Sequence, residues 1–317
     1  MLDVLAAQDK RSDESQISRK TGSDAVIGDA ICAARAPASP YVGRAFRMRV
    51  ADLVIDVEHL HQEVRQLCLD YLVDDGLRAS GSHRAIRNAY GAEPSSSAAQ
   101  SVPADISVTV SRVNIEAERV LTTDGRPWPD AYLETLAVLR AIACQLPKHR
   151  RLLAHGAVIR YDGRAYLFVA PSGTGKSTHI MLWRQYLGED VCVINGDKPF
   201  LLVPEASDVP AIAYGTPWAG KECWQENTCA PLAGIVLLSR SEPGASSCGR
   251  VEAAACLDKL MKQVYFPDDA TRAAKTLELL DALLSRTPLY DLACDMTEDA
   301  VRVSFEAIMG KPYQPAL

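Results

Sequence analysis

The sequence predicts an α/β protein in which helices pack on a mixed sheet, an antiparallel hairpin runs straight into a glycine-rich loop, and a smaller α+β segment lies ahead. Three observations predict it. Ala157-Val-Ile-Arg-Tyr161 and Arg164-Ala-Tyr-Leu-Phe-Val169 flank Asp162-Gly163, a pair suited to a two-residue type I′ turn. Val191-Cys-Val-Ile194 and Gly234-Ile-Val-Leu-Leu238 are short apolar runs, as in strands buried on both faces. Apolar residues at helical spacing, such as Ile180, Trp183 and Leu187, follow the loop. The hairpin sets this chain apart from all-parallel sheets, where a helical crossover precedes the loop strand.

The 317 residues can bury a large core and suggest two ordered regions. Residues 1–40 mix charged and small residues without a period and end in Ala36-Pro-Ala-Ser-Pro40, a disordered tail by composition. An accessory α+β region is expected over 41–147 and the main domain over 148–317. With 48% hydrophobic and 23% charged residues, the balance is that of an ordinary globular protein. A net charge of −6 argues against nucleic acid held by general electrostatic attraction. No apolar run is long enough to span a bilayer, and Met1–Lys10 lacks a signal-peptide profile, so a cytoplasmic protein without membrane contact is expected. The nine cysteines include no C-x-x-C pair, and Cys223 and Cys229 match no zinc spacing; they read as buried apolar residues, with no structural metal.

In chain order, Phe46 to Val57 suits one or two strands, and Leu60, Val64, Leu67 and Tyr71 fall at helical spacing within Glu58–Tyr71. His59 and His61 flank Leu60 and read as polar surface residues, because no third metal ligand is near. Residues 91–103 have loop composition. Ile106, Val108 and Val110 alternate as in a strand that Val113–Ile115 would extend. After an Asp124-Gly125 turn, Ala131 to Leu146 reads as a helix ended by Pro147. Beyond the loop, Lys176 to Leu187 is a helix capped by Gly188, and Phe200 to Val203 is a strand. Gly215-Thr-Pro-Trp-Ala-Gly-Lys-Glu222 is a Gly/Pro-punctuated loop that reads either as a mobile lid carrying an exposed Trp218 or as a plain connection. Helices are expected at Val251–Val264 and Asp269–Leu284, a strand at Leu289–Cys294, and a last helix from Thr297 to Ile308.

The chemistry lies in Ala170-Pro-Ser-Gly-Thr-Gly-Lys-Ser-Thr178. It follows the G-x-x-x-x-G-K-[ST] pattern, with Ala170 in place of the first glycine. Glycines let backbone amides turn inward as a nest for phosphate oxygens, and a helix start adds its unpaired amides. Ser172, Gly173, Thr174, Gly175, Lys176, Ser177 and Thr178 are therefore the candidate nucleotide contacts, with Lys176 on the β- and γ-phosphates and the Ser177 hydroxyl on Mg²⁺. Asp197 ends the apolar run after Ile194, where a carboxylate can face a ligand or simply serve a turn. Lys198 and Lys221 read as solvated charges by default.

From His155 onward the order of pieces resembles the catalytic domain of HPr kinase/phosphorylase and, more distantly, the core of phosphoenolpyruvate carboxykinases. The carriers are His155-Gly156, the Asp162-Gly163 hairpin, Ser172-Gly-Thr-Gly-Lys-Ser177, the helix ending at Leu187-Gly188 and the strand ending at Asp197. Thr178-His179 and Asp197-Lys198-Pro199 resemble HPr-kinase-related proteins found beside peptide-modification genes. The resemblance implies an ATP- and Mg²⁺-dependent kinase acting on a hydroxyl of a peptide, protein serine or small molecule. It implies that His155 lines the reaction centre and that Asp197 accepts a proton or helps hold Mg²⁺. Where that family has two adjacent acids, this chain has Gly196-Asp197. That departure leaves a nucleotide-binding regulatory or assembly protein as the alternative, and a phosphoenolpyruvate carboxykinase as a more distant one. Nothing in the residues sets the oligomeric state, and a homo-oligomer is compatible with them.

Overall fold

A computed structural model describes residues 44–73, 103–122 and 126–315. The tail expected over 1–40, all of the 91–103 loop except Pro103, and the Asp124-Gly125 turn lie outside the described residues.

The first region is a three-stranded sheet of β1 (Arg44–Val50), β2 (Leu53–His59) and β3 (Ile106–Thr109). β1 and β2 pair antiparallel around Ala51 and Asp52, whose φ angles of 51° and 62° make a left-handed turn without glycine. β3 joins β2 in parallel. Alternation buries Met48, Val50, Ile55, Val57, Ile106 and Val108, while Arg47 and Asp56 pair at 2.7 Å on the opposite face. Among the described residues three α-helices belong to this region: α1 (Gln62–Leu67), α2 (Arg112–Leu121) and α3 (Asp130–Ala143).

Several expectations need correction here. Glu58 and His59 finish β2 instead of opening a helix, and Leu69–Tyr71 is a 3₁₀ turn. Val113–Ile115 is helical, because Asn114 Oδ1 accepts from Ser111 N at 2.9 Å and starts α2 there. α3 stops at Ala143, and Pro147 is buried inside a 3₁₀ turn, Leu146–His149. His59 is buried against Phe46, its ring 5.3 Å away. His61 Nδ1 lies 2.6 Å from the carboxylate of Glu134. Glu134, fully buried on α3, also accepts from Leu60 N (2.6 Å) and His61 N (2.8 Å), so its buried polar oxygens have the partners they need and clamp the β2–α1 connection.

The second sheet has nine strands. Its main path runs β4 (Arg151–Leu153), β8 (Phe200–Leu202), β9 (Ile212–Tyr214), β10 (Cys229–Arg240), β6 (Arg164–Val169), β5 (Ala157–Tyr161), β7 (Cys192–Asn195). β12 (Leu289–Cys294) pairs with β10, and β11 (Ser247–Val251) pairs with β12. β6, β10 and β12 are mutually parallel, and the flanking pairs are antiparallel, so the sheet is mixed as expected. Asp162 and Gly163 have φ of 51° and 72°, as the turn between β5 and β6 requires.

Both faces of the β5–β6–β10 centre are covered. Ala157, Ile159, Tyr166 and Phe168 cluster with Ile180, Trp183 and Leu187 of α4 (Lys176–Leu187) and Val301 and Phe305 of α7 (Glu298–Met309). Val158, Ala165, Leu167 and Val169, one residue out of phase, cluster with Leu260 of α5 (Leu257–Met261) and Leu279, Leu280 and Leu283 of α6 (Ala270–Leu284). The helix expected over Val251–Val264 is mostly something else: Val251 ends β11, and only the short α5 is α-helical. Thr297 occupies the position before α7, but its hydroxyl donates to Asp295 Oδ1 at 2.7 Å.

The two regions share a core. Leu153, Phe200, Ile212, Tyr214, Trp218 and Cys229 cluster with the small sheet and α3. Polar bonds accompany it, among them the Tyr214 hydroxyl donating to Asp52 Oδ2 (2.6 Å) and Arg151 Nε donating to Ala51 O (3.0 Å). Among the described residues no cysteine forms a disulfide, and no helix is long and apolar enough to cross a membrane.

The α4 core contains an imidazole. His179 is buried, and its Nε2 accepts from Trp183 Nε1 at 3.0 Å. Burial pushes its pKa down to about 3. The folded state therefore keeps His179 neutral, while the unfolded chain takes up a proton near the ordinary histidine value of about 6.5. The melting temperature should hold steady above about pH 7 and decline as pH falls below about 6.5, before carboxylates protonate. A melting profile flat down to about pH 5 would contradict this. Trp183, fully buried between Phe168 and Phe305, should cost about 3–5 kcal/mol when replaced by Ala, read from denaturant unfolding.

Candidate active site

Topology brings the sequence-predicted residues to one end of the large sheet. β5 is antiparallel to both β6 and β7, so the end of β6, the end of β7 and the start of β5 coincide. Ala157 opposes Phe168, and Val158 opposes Asn195. The glycine-rich loop leaves β6 there, Asp197 follows β7, and His155 precedes β5. β10, parallel to β6, delivers Arg240 to the same end.

Gly173 and Gly175 take φ of 74° and 120°, conformations that cost a side-chain-bearing residue strain. α4 starts at Lys176, so its unpaired amides follow the loop directly. Ser172 and Gly173 are exposed, and Thr174 through Thr178 are half-buried. Thr174 Oγ1 donates to Pro171 O at 2.9 Å. Lys176 Nζ folds back onto the Ala170 carbonyl at 2.8 Å. Burial pushes the Lys176 ammonium down to about 8; Lys198 adds to this, and Asp197 and Glu222 oppose it. Arg240 is a residue the sequence reading missed. Its guanidinium donates to Thr174 O at 3.2 Å and to Gly173 O, steadying the crown of the loop. The only signal for it is a cation at the end of an apolar run.

Asp197 is the hub of a second cluster. His155 Nε2 lies 3.3 Å from its Oδ1, and Lys198 Nζ donates to its Oδ2 at 3.0 Å. Burial raises the Asp197 pKa, but Lys198 and His155 outweigh it and hold the carboxyl well below the usual carboxylate range. Burial, with help from Lys198, pushes His155 down to about 4, so the imidazole is neutral at physiological pH. A neutral ring that donates from Nε2 to Asp197 must accept at Nδ1. Gln263 lies there at 2.9 Å and can present its amide nitrogen, since amide O and N interchange by a flip. The Gln263 carbonyl also accepts from His155 N at 2.7 Å. Lys198 is not a solvated surface charge: its side chain is 14% exposed and paired.

The segment after Asp197 is built around Asn195. Its side-chain oxygen accepts from Asp197 N (2.9 Å) and Lys198 N (2.7 Å), and its Nδ2 donates to Thr216 O (3.0 Å). Gly215–Glu222 is an anchored loop and Trp218 is buried, its Nε1 donating to Thr135 O of α3 at 2.9 Å. Gly196 N donates to Trp224 O at 2.8 Å, and a Cβ at Gly196 would sit 2.7 Å from Ala219 O. The position where a second acid was expected therefore has no room for a side chain. A cavity of about 750 Å³, lined by Arg184, Cys192, Cys223 and Glu226 among others, contains no loop residue. The glycine-rich loop lies apart from that cavity.

No family model and no curated protein matches this chain. Among solved structures, the Hpr(Ser) kinase/phosphatase from Coxiella burnetii is similar to it at 11% identity, over 42% of this chain and 88% of that one, with a TM-score of 0.23. A score that low carries no argument about this chain, and the site stands on its own geometry.

Gly196→Asp should destabilise the protein by about 1–3 kcal/mol in denaturant unfolding, since the side chain must displace the Ala219 backbone. Wild-type stability in that variant would show that the loop yields easily.

Proposed function

We propose that this protein is an ATP-dependent kinase that moves the γ-phosphoryl group to a hydroxyl of a peptide, protein serine or small molecule. The observation that carries the reading is the convergence of the Ser172–Thr178 loop and Asp197 at one end of the sheet. Phosphoryl transfer needs charge neutralisation, in-line positioning and an oriented acceptor, with little covalent work for the protein. In this reading the loop amides and Lys176 hold the triphosphate. The acceptor oxygen bonds to the γ-phosphorus as the bond to the β–γ bridging oxygen breaks; ADP leaves and the hydroxyl proton passes to Asp197. His155, neutral and held by Gln263, orients that carboxylate.

Among the described residues no group of three His, Cys, Asp or Glu is placed to hold a metal. Mg²⁺ that arrives on phosphates needs only one or two protein oxygens, and Ser177 and Asp197 supply that set. Bound there it would neutralise phosphate charge. We expect a cytoplasmic protein that uses no nucleic acid or membrane and is free to form a homo-oligomer.

One feature favours a second reading, a nucleotide-binding regulatory or assembly protein with little turnover. Gly196 excludes a second acid sterically, and both Asp197 oxygens already face nitrogen groups. Variants separate the two. Lys176→Ala should abolish ATP binding, and Asp197→Asn should retain binding but lose transfer by about 100-fold or more, followed with γ-labelled ATP, Mg²⁺ and lysate of the source cell. Equal labelling by wild type and Asp197→Asn removes the proposed base. Tight binding with no labelled product supports the binding protein.

A further inference from the structure

Lys198 sits where neither the loop nor the proton acceptor accounts for it. Its backbone is fixed on three sides. Its N–H donates to Asn195 Oδ1 (2.7 Å), its carbonyl accepts from Thr216 Oγ1 (2.8 Å), and Pro199 follows, restricting its ψ to extended values. The side chain is mostly buried, and its ammonium contacts Asp197 alone among the described side chains. The pivot is rigid and the head is held by one exchangeable partner.

The charge balance around that partner is unusual. Lys176 and Lys198 act electrostatically on each other and both on Asp197. A second acid cannot be accommodated, because Gly196 packs against Ala219. Lys176 and Lys198 thus act on Asp197, with Glu222 a further acid near Lys176, and Lys198 is the ammonium bonded directly to the Asp197 carboxylate.

We propose that Lys198 is a further catalytic residue, which leaves Asp197 for the terminal phosphate of a bound nucleoside triphosphate. This rests on the kinase reading above. The exchange makes the γ-phosphate both substrate and release signal. With ADP bound, nothing draws Lys198 away and the carboxylate stays capped.

Calorimetric titration of the full chain with ATP and, separately, ADP, both without Mg²⁺ so that loss of a metal ligand cannot mask the exchange, tests this. Wild type should prefer ATP. Lys198→Ala should weaken ATP by about tenfold or more, as for loss of a charge-assisted bond, and ADP by less than about twofold. Lys198→Arg should retain most of the preference, and Lys198→Gln, closer in shape, should repeat the Ala result if folding is unharmed in a thermal melt. Because ATP competes with Asp197 for the ammonium, Asp197→Asn should raise ATP affinity in the wild-type background and have a clearly smaller effect in Lys198→Ala. Equal weakening of ATP and ADP, or an Asp197→Asn gain of the same size in both backgrounds, overturns the exchange while leaving nucleotide binding intact. No nucleotide binding by wild type overturns this inference together with the kinase reading.

Discussion

The structure depends on one strand. β10 runs from Cys229 to Arg240 and changes partners along its length. Its first residues pair antiparallel with β9, and later ones lie parallel between β6 and β12. The switch falls at the irregularity between Leu232 and Gly234. There Gly234 passes between the rings of Tyr166 and Tyr290, too close for a larger residue without adjustment. One end of β10 thus holds the antiparallel wing that joins the small sheet, and the other holds the parallel core that presents the loop. Arg240, its last residue, reaches the carbonyls of Gly173 and Thr174.

The site follows from that arrangement by strand direction. Chain segments far apart in sequence reach the same end of the sheet because β5 is antiparallel to both of its neighbours. The electrostatics then follow from burial. A lysine, a histidine and an aspartate placed in a half-closed corner shift in the directions that favour one ionised carboxylate and one neutral imidazole. Asn195 contributes no charge, yet it sets the backbone of Asp197 and Lys198 and ties both to Thr216.

Much of this was legible in the sequence where local rules decide. The Asp162-Gly163 hairpin, the helix from Lys176 to Leu187 and the strand from Leu289 to Cys294 follow from turn chemistry and periodicity, and the structure has them at those residues. Local rules failed where a distant partner decides. His59 and Trp218 look like surface residues until Phe46 and Thr135 are brought against them. Ala51-Asp52 carries no glycine, so nothing marked it as a left-handed turn that docks on Tyr214 and Arg151. Gln263 and Arg240 belong to no motif, and Lys198 had the default reading of any lysine. Gly196 read as a lost acid, whereas the packing of Ala219 shows a position that excludes one.

The bond from Trp218 to the Thr135 carbonyl reaches beyond its own strength. It ties the loop that closes over Asp197 to a helix in the first half of the chain, inside a cluster that also holds Leu153, Phe200 and Tyr214. A fragment beginning at about residue 148 would keep every candidate site residue but strip the apolar cover from Trp218 and its neighbours. The half that carries the candidate site is therefore not a detachable module. Its Gly215–Glu222 loop is bonded to a residue of α3, so a sequence change in that helix reaches the chain packed against Asp197.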